Sequence, residues 1–386
     1  MGELKEPTVI ALFAEEFPNA CAMVRITNPY KVMRDRGYAF DHARHAEMRE
    51  LAQQGYPLGL YQIWVMPRLV DIGDGKALKL VEDLQRAGNL VVWETDDDYT
   101  EKHRTVLKHG ADAMVVACAC DAVTVSTPYL AEIMADFHDQ IYVLPNCVDL
   151  DHWKPAKDMR QIKGLTIGIG GTPTHYEDWL VILKPLQELL REFPEVQLVV
   201  MGYKPDYFDL LPEEQVVFFE PVVYSQYPAV VRQVDIGLAP LESTVFNLCK
   251  SAIKVLEYWA SYRQYPGGGF GGAAAIATKM PVYEEVVEHN YNGLLVEHEE
   301  EAWYSAIREL IVNPGLRKRL GKRGFRHVRD NRNINSQAHL WLDAYTAILQ
   351  GGVDNDRFGS DKRVWSGTPN SKRHPGKRGR RRGSGR

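Results

Sequence analysis

A chain of 386 residues is too long for one ordinary core and predicts two domains. Hydrophobic residues at 45% and charged residues at 25% are those of a globular protein, and no apolar run nears the ~20 residues that a membrane-spanning helix needs. Five scattered cysteines (Cys21, Cys118, Cys120, Cys147, Cys249) form no CxxC pair, which argues against a disulfide framework or a zinc site and suits a reducing cytoplasm.

The start, MGELKEPTVIALFAEE, reads as a first buried strand and not as a signal peptide. Strand-like apolar runs follow at 9–14, 60–65, 90–93, 122–125 and 141–144, with helical patterns at 42–53, 76–86 and 128–137. Alternating strand and helix implies βαβ units and a parallel sheet. Leu144-Pro145-Asn146 closes this half, residues 1–150, and the Pro- and charge-rich stretch 151–163 reads as a linker. Two features of the first half bear on function. Arg25 follows the first strand, in an expected loop, where it could meet a phosphate or an acidic acceptor or form a surface salt bridge. The sequence VVWETDDDY ends a buried strand in Asp96, Asp97 and Asp98, adjacent acids that repel one another unless solvated or used. They suit an acidic first helical turn, or a carboxylate that works on a substrate, with Asp97 the candidate.

The second half, 164–335, repeats the scheme, with strand-like runs at 165–169, 196–201, 216–219, 236–238, 273–277 and 293–296. Helical patterns fill 175–192, 249–261, 299–312 and 314–329. Gly170 and Gly171 end its first strand in GLTIGIGGTPTHYEDW, where backbone amides could approach a phosphate, and His175 opens the helix that follows. The spacing is neither GxGxxG nor a Walker loop; Thr174 and Glu177 have capping-box spacing. In DIGLAPLESTVFNLCKSAIKVLEY, Lys250, Lys254 and Glu257 fall at i, i+4 and i+7, one face of a single helix, either solvated or turned to a nucleotide diphosphate and its ribose. The glycine-rich YPGGGFGGAAAI at 265–276 suits a flexible loop. A last helix at 336–351 would pack back across the first domain. Ten of the 46 lysines and arginines lie in residues 362–386, which hold no acid, leaving 36 against all 51 acids in the remainder. Residues 352–386 have too little apolar surface to offset ordering entropy and read as a disordered basic tail. Such a tail suits a nucleic acid, an anionic lipid surface or the acidic body itself.

The order and spacing of VLPNCVDLDHW (143–153), the segment 235–258 and MPVYEEVVEHNYNGLLV (280–296) resemble the retaining glycosyltransferases of group 1, which have the GT-B fold. The resemblance implies an α/β architecture of two Rossmann-like, doubly wound domains facing a cleft. It implies a nucleotide-diphosphate sugar as donor substrate, no tightly bound cofactor and no metal, and transfer with retention to an acceptor hydroxyl. Glu257 matches the family's ribose-binding glutamate; Lys250, Lys254 and Ser251 would serve the diphosphate or sugar, and Gly170, Gly171, His175 and Arg25 would help bind the donor. The family's first acid of Glu-x7-Glu is Cys249 here, and its usual arginine and lysine near the glycine loop are not evident. The acceptor stays open: a hydroxylated base in modified DNA, a surface glycan, a lipid or a protein. Two other readings are a non-catalytic nucleic-acid-binding protein on a degenerate transferase body and a GT-B nucleotide-sugar epimerase.

Overall fold

A computed structural model describes residues 6–13, 20–44, 47–48, 50, 58–69, 75–100, 110–155, 161–264, 269–351 and 364–366. Two parallel sheets organise the chain. The first contains β1 (Val9–Phe13), β2 (Phe40–Arg44), β3 (Ile63–Pro67), β4 (Leu90–Thr95), β5 (Ala122–Val125) and β6 (Ile141–Val143), in the order β6-β5-β4-β3-β1-β2. The second contains β7 (Thr166–Gly170), β8 (Gln197–Met201), β9 (Val216–Phe219) and β10 (Ile236–Ala239). After a short antiparallel hairpin of β11 (Arg263–Gln264) and β12 (Phe270–Gly271), β13 (Ala274–Thr278) and β14 (Leu294–Val296) complete it in the order β14-β13-β10-β7-β8-β9. Helices cover both faces of each sheet, so central strands such as β4 and β7 are apolar on both sides. Each order reverses once, at β1/β3 and at β7/β10, and in open α/β sheets ligands bind beyond the strands' carboxyl ends at such points.

Several elements differ from the expectation. Residues 42–44 belong to β2, which pairs with β1 from Val9↔Phe40 to Phe13↔Arg44, and not to a helix. As a half-exposed edge strand, FDHAR lacks the apolar run that marks the inner strands. Arg25 lies in a helical segment, within the π-turn Met23–Thr27, and not in a loop. The helix expected from His175 begins at Leu180, after a 3-10 turn at Pro173–His175, so the Thr174–Glu177 capping box is not formed. The glycine-rich link contributes β12, and Gly272 sits where a Cβ would lie 2.1 Å from the Trp259 carbonyl; residues 265–268 of that link lie outside the described residues.

The two halves are stitched twice. Val148 donates to Arg332 O at 2.8 Å and accepts from Ile334 N at 3.0 Å where the outgoing and returning chains cross. The helix His339–Leu349 then packs Trp341 and Tyr345 into the apolar cluster of Tyr30 and Phe40 on the first domain. The Tyr345 and Tyr30 hydroxyls meet at 2.9 Å. Within the expected disordered stretch, β15 (Val364–Ser366) adds to the β6 edge in parallel; the rest of 352–386 lies outside the described residues.

Candidate active site

The carboxyl ends of both sheets face a cleft of about 550 Å³ between the domains. The second domain supplies most of it. Thr244 caps a short helix, Val245–Cys249, by accepting from Asn247 N at 3.2 Å. That helix stops at Lys250, whose backbone is extended, and a second begins at Ile253. Lys250, Lys254 and Glu257 therefore do not share one continuous helix, as their spacing predicted. The break nevertheless leaves Lys250, Ser251 and Lys254 all lining the cleft. Lys254 and Glu257 keep helical i, i+3 spacing, with Nζ 3.0 Å from Oε2. Tyr227 closes a triangle: its hydroxyl accepts from Lys254 at 2.8 Å and donates to Glu257 at 3.1 Å. Burial pulls the Lys254 pKa down, but the Glu257 carboxylate and Tyr227 outweigh it and hold the ammonium well above its usual range.

The glycine loop works differently from its sequence reading. The Gly171 amide is committed to Met201 O at 3.1 Å, across from β8. What Gly171 provides is room: a Cβ there would lie 2.6 Å from His175 Cδ2 and 3.0 Å from Trp179. Gly170 likewise packs against Met201 and lines the cleft. The His175 ring stacks on Trp179, with centroids 6.0 Å apart and planes 5° apart, and its Nδ1 meets Asp178 Oδ2 at 2.8 Å. Asp178, 1% exposed, accepts from Glu242 N at 2.9 Å and Asn247 Nδ2 at 2.6 Å on its other oxygen. Those bonds tie the loop after β7 to the loop after β10.

The first domain contributes an acidic wall. Asp96 and Asp97 leave the end of β4 and line the cleft. Arg68, at the end of β3 with φ +50°, binds both: Nε to Asp96 at 3.1 Å, NH2 to Asp96, and NH2 to Asp97 at 2.8 Å. Burial pushes Asp96 up, but Arg68 and then Arg25 bring it below the ordinary carboxylate range. Asp97 is raised by burial and by Asp96, only partly offset by Arg68 and Lys250. Lys250 Nζ reaches across the cleft to within 3.8 Å of Asp97 Oδ1 and sits 4.5 Å from the Phe246 ring centroid. Asp98 is fully buried and turned away, its Oδ1 accepting from Thr100 N at 2.7 Å.

Arg25 is not brought to the cleft. It is 1% exposed, bonded to Glu94 at 2.6 Å, to the Leu144 carbonyl and to Asn146 Oδ1 at 2.9 Å. Its effect on the cleft is indirect, because it orients Asn146, whose Nδ2 donates to Ser251 Oγ at 2.8 Å. Cys249 is fully buried and faces the first domain's apolar cluster; its carbonyl accepts from Thr127 Oγ1 at 2.9 Å. Arg68, Asn146 and Tyr227 escaped the sequence reading. Arg68 alone had a local signal, as a cation just past a buried strand. Among the described residues no group of three His, Cys, Asp or Glu side chains could hold a metal ion, and no helix is long and apolar enough to cross a membrane.

A family model described as glycosyl transferases group 1 matches residues 165–313, the span that carries the second-domain wall of the cleft. A search of curated proteins found no match. Solved structures similar to the chain include Alr3699/HepE of Anabaena in complex with UDP and glucose, at TM-score 0.63 and 14% identity, covering 88% of this chain and all of that one. A glycosyltransferase of Rickettsia africae aligns at TM-score 0.63 and 13% identity over 89% of this chain and 99% of its own. Sucrose-phosphate synthase of Thermosynechococcus elongatus aligns at 0.62 and 13%, over 89% and 99%.

Proposed function

We propose that the chain, which has the GT-B fold and matches the group 1 glycosyl transferase model over residues 165–313, is a glycosyltransferase that moves a sugar from a nucleotide-diphosphate donor to an acceptor hydroxyl with retention. The observation that carries the donor reading is that Lys250, Ser251 and Lys254 line the cleft beyond the carboxyl ends of β7 and β10, with Lys254 bonded to Glu257 and Tyr227. Lys250 and Lys254 are placed to take the diphosphate and to hold its charge as the bond to the sugar breaks. Glu257, held 3.0 Å from the Lys254 ammonium, accepts from ribose hydroxyls. Ser251, held by Asn146, and Asp97, on the opposite wall, face the sugar. In a retaining transfer the bond from C1 to the diphosphate oxygen breaks, a bond from C1 to the acceptor oxygen forms on the same face, and the departing phosphate takes the acceptor's proton. Release of nucleoside diphosphate from a panel beginning with UDP-glucose tests this. Turnover should be lost in Lys254→Ala and Glu257→Ala, and near-normal rates in both would remove this site from consideration.

For the acceptor we propose a nucleic acid carrying a hydroxylated base. Two observations support it: ten cations without an acid in 362–386, and the parallel pairing of Ser366 with Val143. That pairing puts Ser366 at the carboxyl edge of the first sheet, the edge where Asn146 enters the cleft. Replacing Lys372, Arg373, Lys377, Arg378 and Arg380 to Arg382 by serine keeps β15. It should weaken DNA binding and flatten its salt dependence, by ~0.9 in the log–log slope for each phosphate no longer neutralised. Unchanged affinity would leave a glycan, a lipid or a protein as acceptor.

A further inference from the structure

The cations lining the cleft all face carboxylates. Lys254 is tied to Glu257, Arg68 to Asp96 and Asp97, and Lys250 approaches Asp97. A donor diphosphate brings two negative charges into this company, and the glycine loop that would cradle it has neither arginine nor lysine, and a Gly171 amide already bonded to Met201. What the loop does present is His175, fixed on both sides: stacked on Trp179 and bonded through Nδ1 to a buried aspartate whose other oxygen is filled by Glu242 N and Asn247.

We propose that His175 and Asp178 form a proton-linked anion clamp, in which His175 takes a proton from solvent as the donor diphosphate enters and donates through Nε2 to a phosphate oxygen. The proposal rests on the donor reading above. Asp178 fixes the tautomer. Ionised, it can only accept, so Nδ1 carries the hydrogen and Nε2 the basic lone pair. Burial first, and then Lys250 and Lys254, hold the His175 pKa below its ordinary value against the opposing pull of Asp178. Asp97 faces it from the first domain, and Tyr207, Tyr283 and His298 lie within electrostatic reach of Asp178. Without donor the ring is therefore neutral near neutral pH, and its Nε2 lone pair would repel a phosphate oxygen. The Trp179 stack and the Asp178 bond prevent the ring from turning aside. The diphosphate instead cancels the field of the two lysines and adds its own, so protonation becomes favourable and the proton stays until the nucleoside diphosphate leaves. Asp178, separated from the ligand by the His175 ring, is a positioning residue.

Calorimetric titration of the full chain with UDP-glucose and other nucleoside diphosphate sugars, in buffers of different ionisation enthalpy, reads the proton directly, since these donors do not titrate near neutrality. Wild type should take up a fraction of a proton approaching one at pH ~7, falling at higher pH as donor affinity falls with it. His175→Gln keeps a neutral N–H donor without a titrating group. It should bind with no proton uptake and with pH-independent affinity. His175→Ala should lose about 10- to 150-fold in donor kcat/KM, the worth of one charge-assisted hydrogen bond. Asp178→Asn should raise donor KM and reduce the uptake. Binding by wild type without proton exchange, or unchanged uptake in His175→Gln, overturns the clamp. If no nucleoside diphosphate sugar binds wild type, the donor reading itself fails, and the clamp with it.

Discussion

Lys254→Ala separates two roles of one side chain. Its ammonium is 3.0 Å from Glu257 and 2.8 Å from Tyr227, with Lys254 25% exposed and Glu257 9%. Removing it leaves the Glu257 carboxylate nearly buried, with the Tyr227 hydroxyl at 3.1 Å as its remaining hydrogen-bond donor of the triangle. Breaking a fully buried ion pair costs ~3–5 kcal/mol. Because water reaches a quarter of Lys254, ~1–3 kcal/mol is the expected loss here. Donor binding should be weakened by one further charge-assisted hydrogen bond, ~1.5–3 kcal/mol or about 10- to 150-fold. Adding Glu257→Gln removes the stranded charge. The double variant should therefore regain stability over Lys254→Ala while donor turnover stays as low. Urea unfolding followed by tryptophan fluorescence reads the first quantity, and nucleoside diphosphate release against donor concentration reads the second. The reasoning is refuted if Lys254→Ala keeps donor KM and kcat within about twofold, or if the double variant is no more stable than the single one.

Cys249→Glu puts an acid where the Glu-x7-Glu resemblance expects one, but that position is buried against the first domain. The variant should lose several kcal/mol of stability, seen as a lower unfolding midpoint, and gain no activity. Gly171→Ala should displace the His175 ring and raise donor KM at least ~10-fold, at an overpacking cost of ~1–3 kcal/mol, with the circular dichroism spectrum unchanged. Asp97→Asn frees Lys250 of its facing carboxylate. UDP should bind a few-fold tighter while sugar transfer falls, measured by calorimetry and product release on the same preparation. His327 is pushed down to about 4 by burial and then by Arg332, so the folded state binds fewer protons than the unfolded chain between that value and ~6.5. Stability from this group is complete above the unfolded pKa and is lost as pH falls toward about 4. His327→Gln should flatten that part of the stability profile.

The inner strands were legible because a strand buried on both faces must be an unbroken apolar run, as in LVVWET and TIGIG. Edge strand β2 was not, since its polar FDHAR carries no such run. Lys254 and Glu257 were legible from helical spacing, but Lys250 was placed on the wrong helix. The spacing says nothing of a short helix that starts at the Thr244 cap and ends at Cys249, before another begins at Ile253. Arg25 misled in the opposite sense. An arginine after a first strand resembles a surface cation, but Glu94, 69 positions away, draws it inside. Arg68 and its two aspartates are 28 and 29 positions apart and meet only because β3 and β4 are neighbours.

The absence of an acid at position 249 has a structural counterpart. At Cys249 the chain turns its side chain toward the first domain, where an apolar group is needed, so no carboxylate reaches the cleft from that position. Acidity in the cleft comes instead from the opposite wall, where Arg68 absorbs Asp96 and leaves Asp97 the more easily protonated of the pair. Lys250, directly after Cys249, points at that same Asp97. The acid and the cation that face each other across the cleft, Asp97 and Lys250, therefore belong to different domains. Any motion that opens the cleft separates them, and on the proposed donor reading a nucleotide sugar seated between them would draw both walls together and couple its binding to closure over the acceptor.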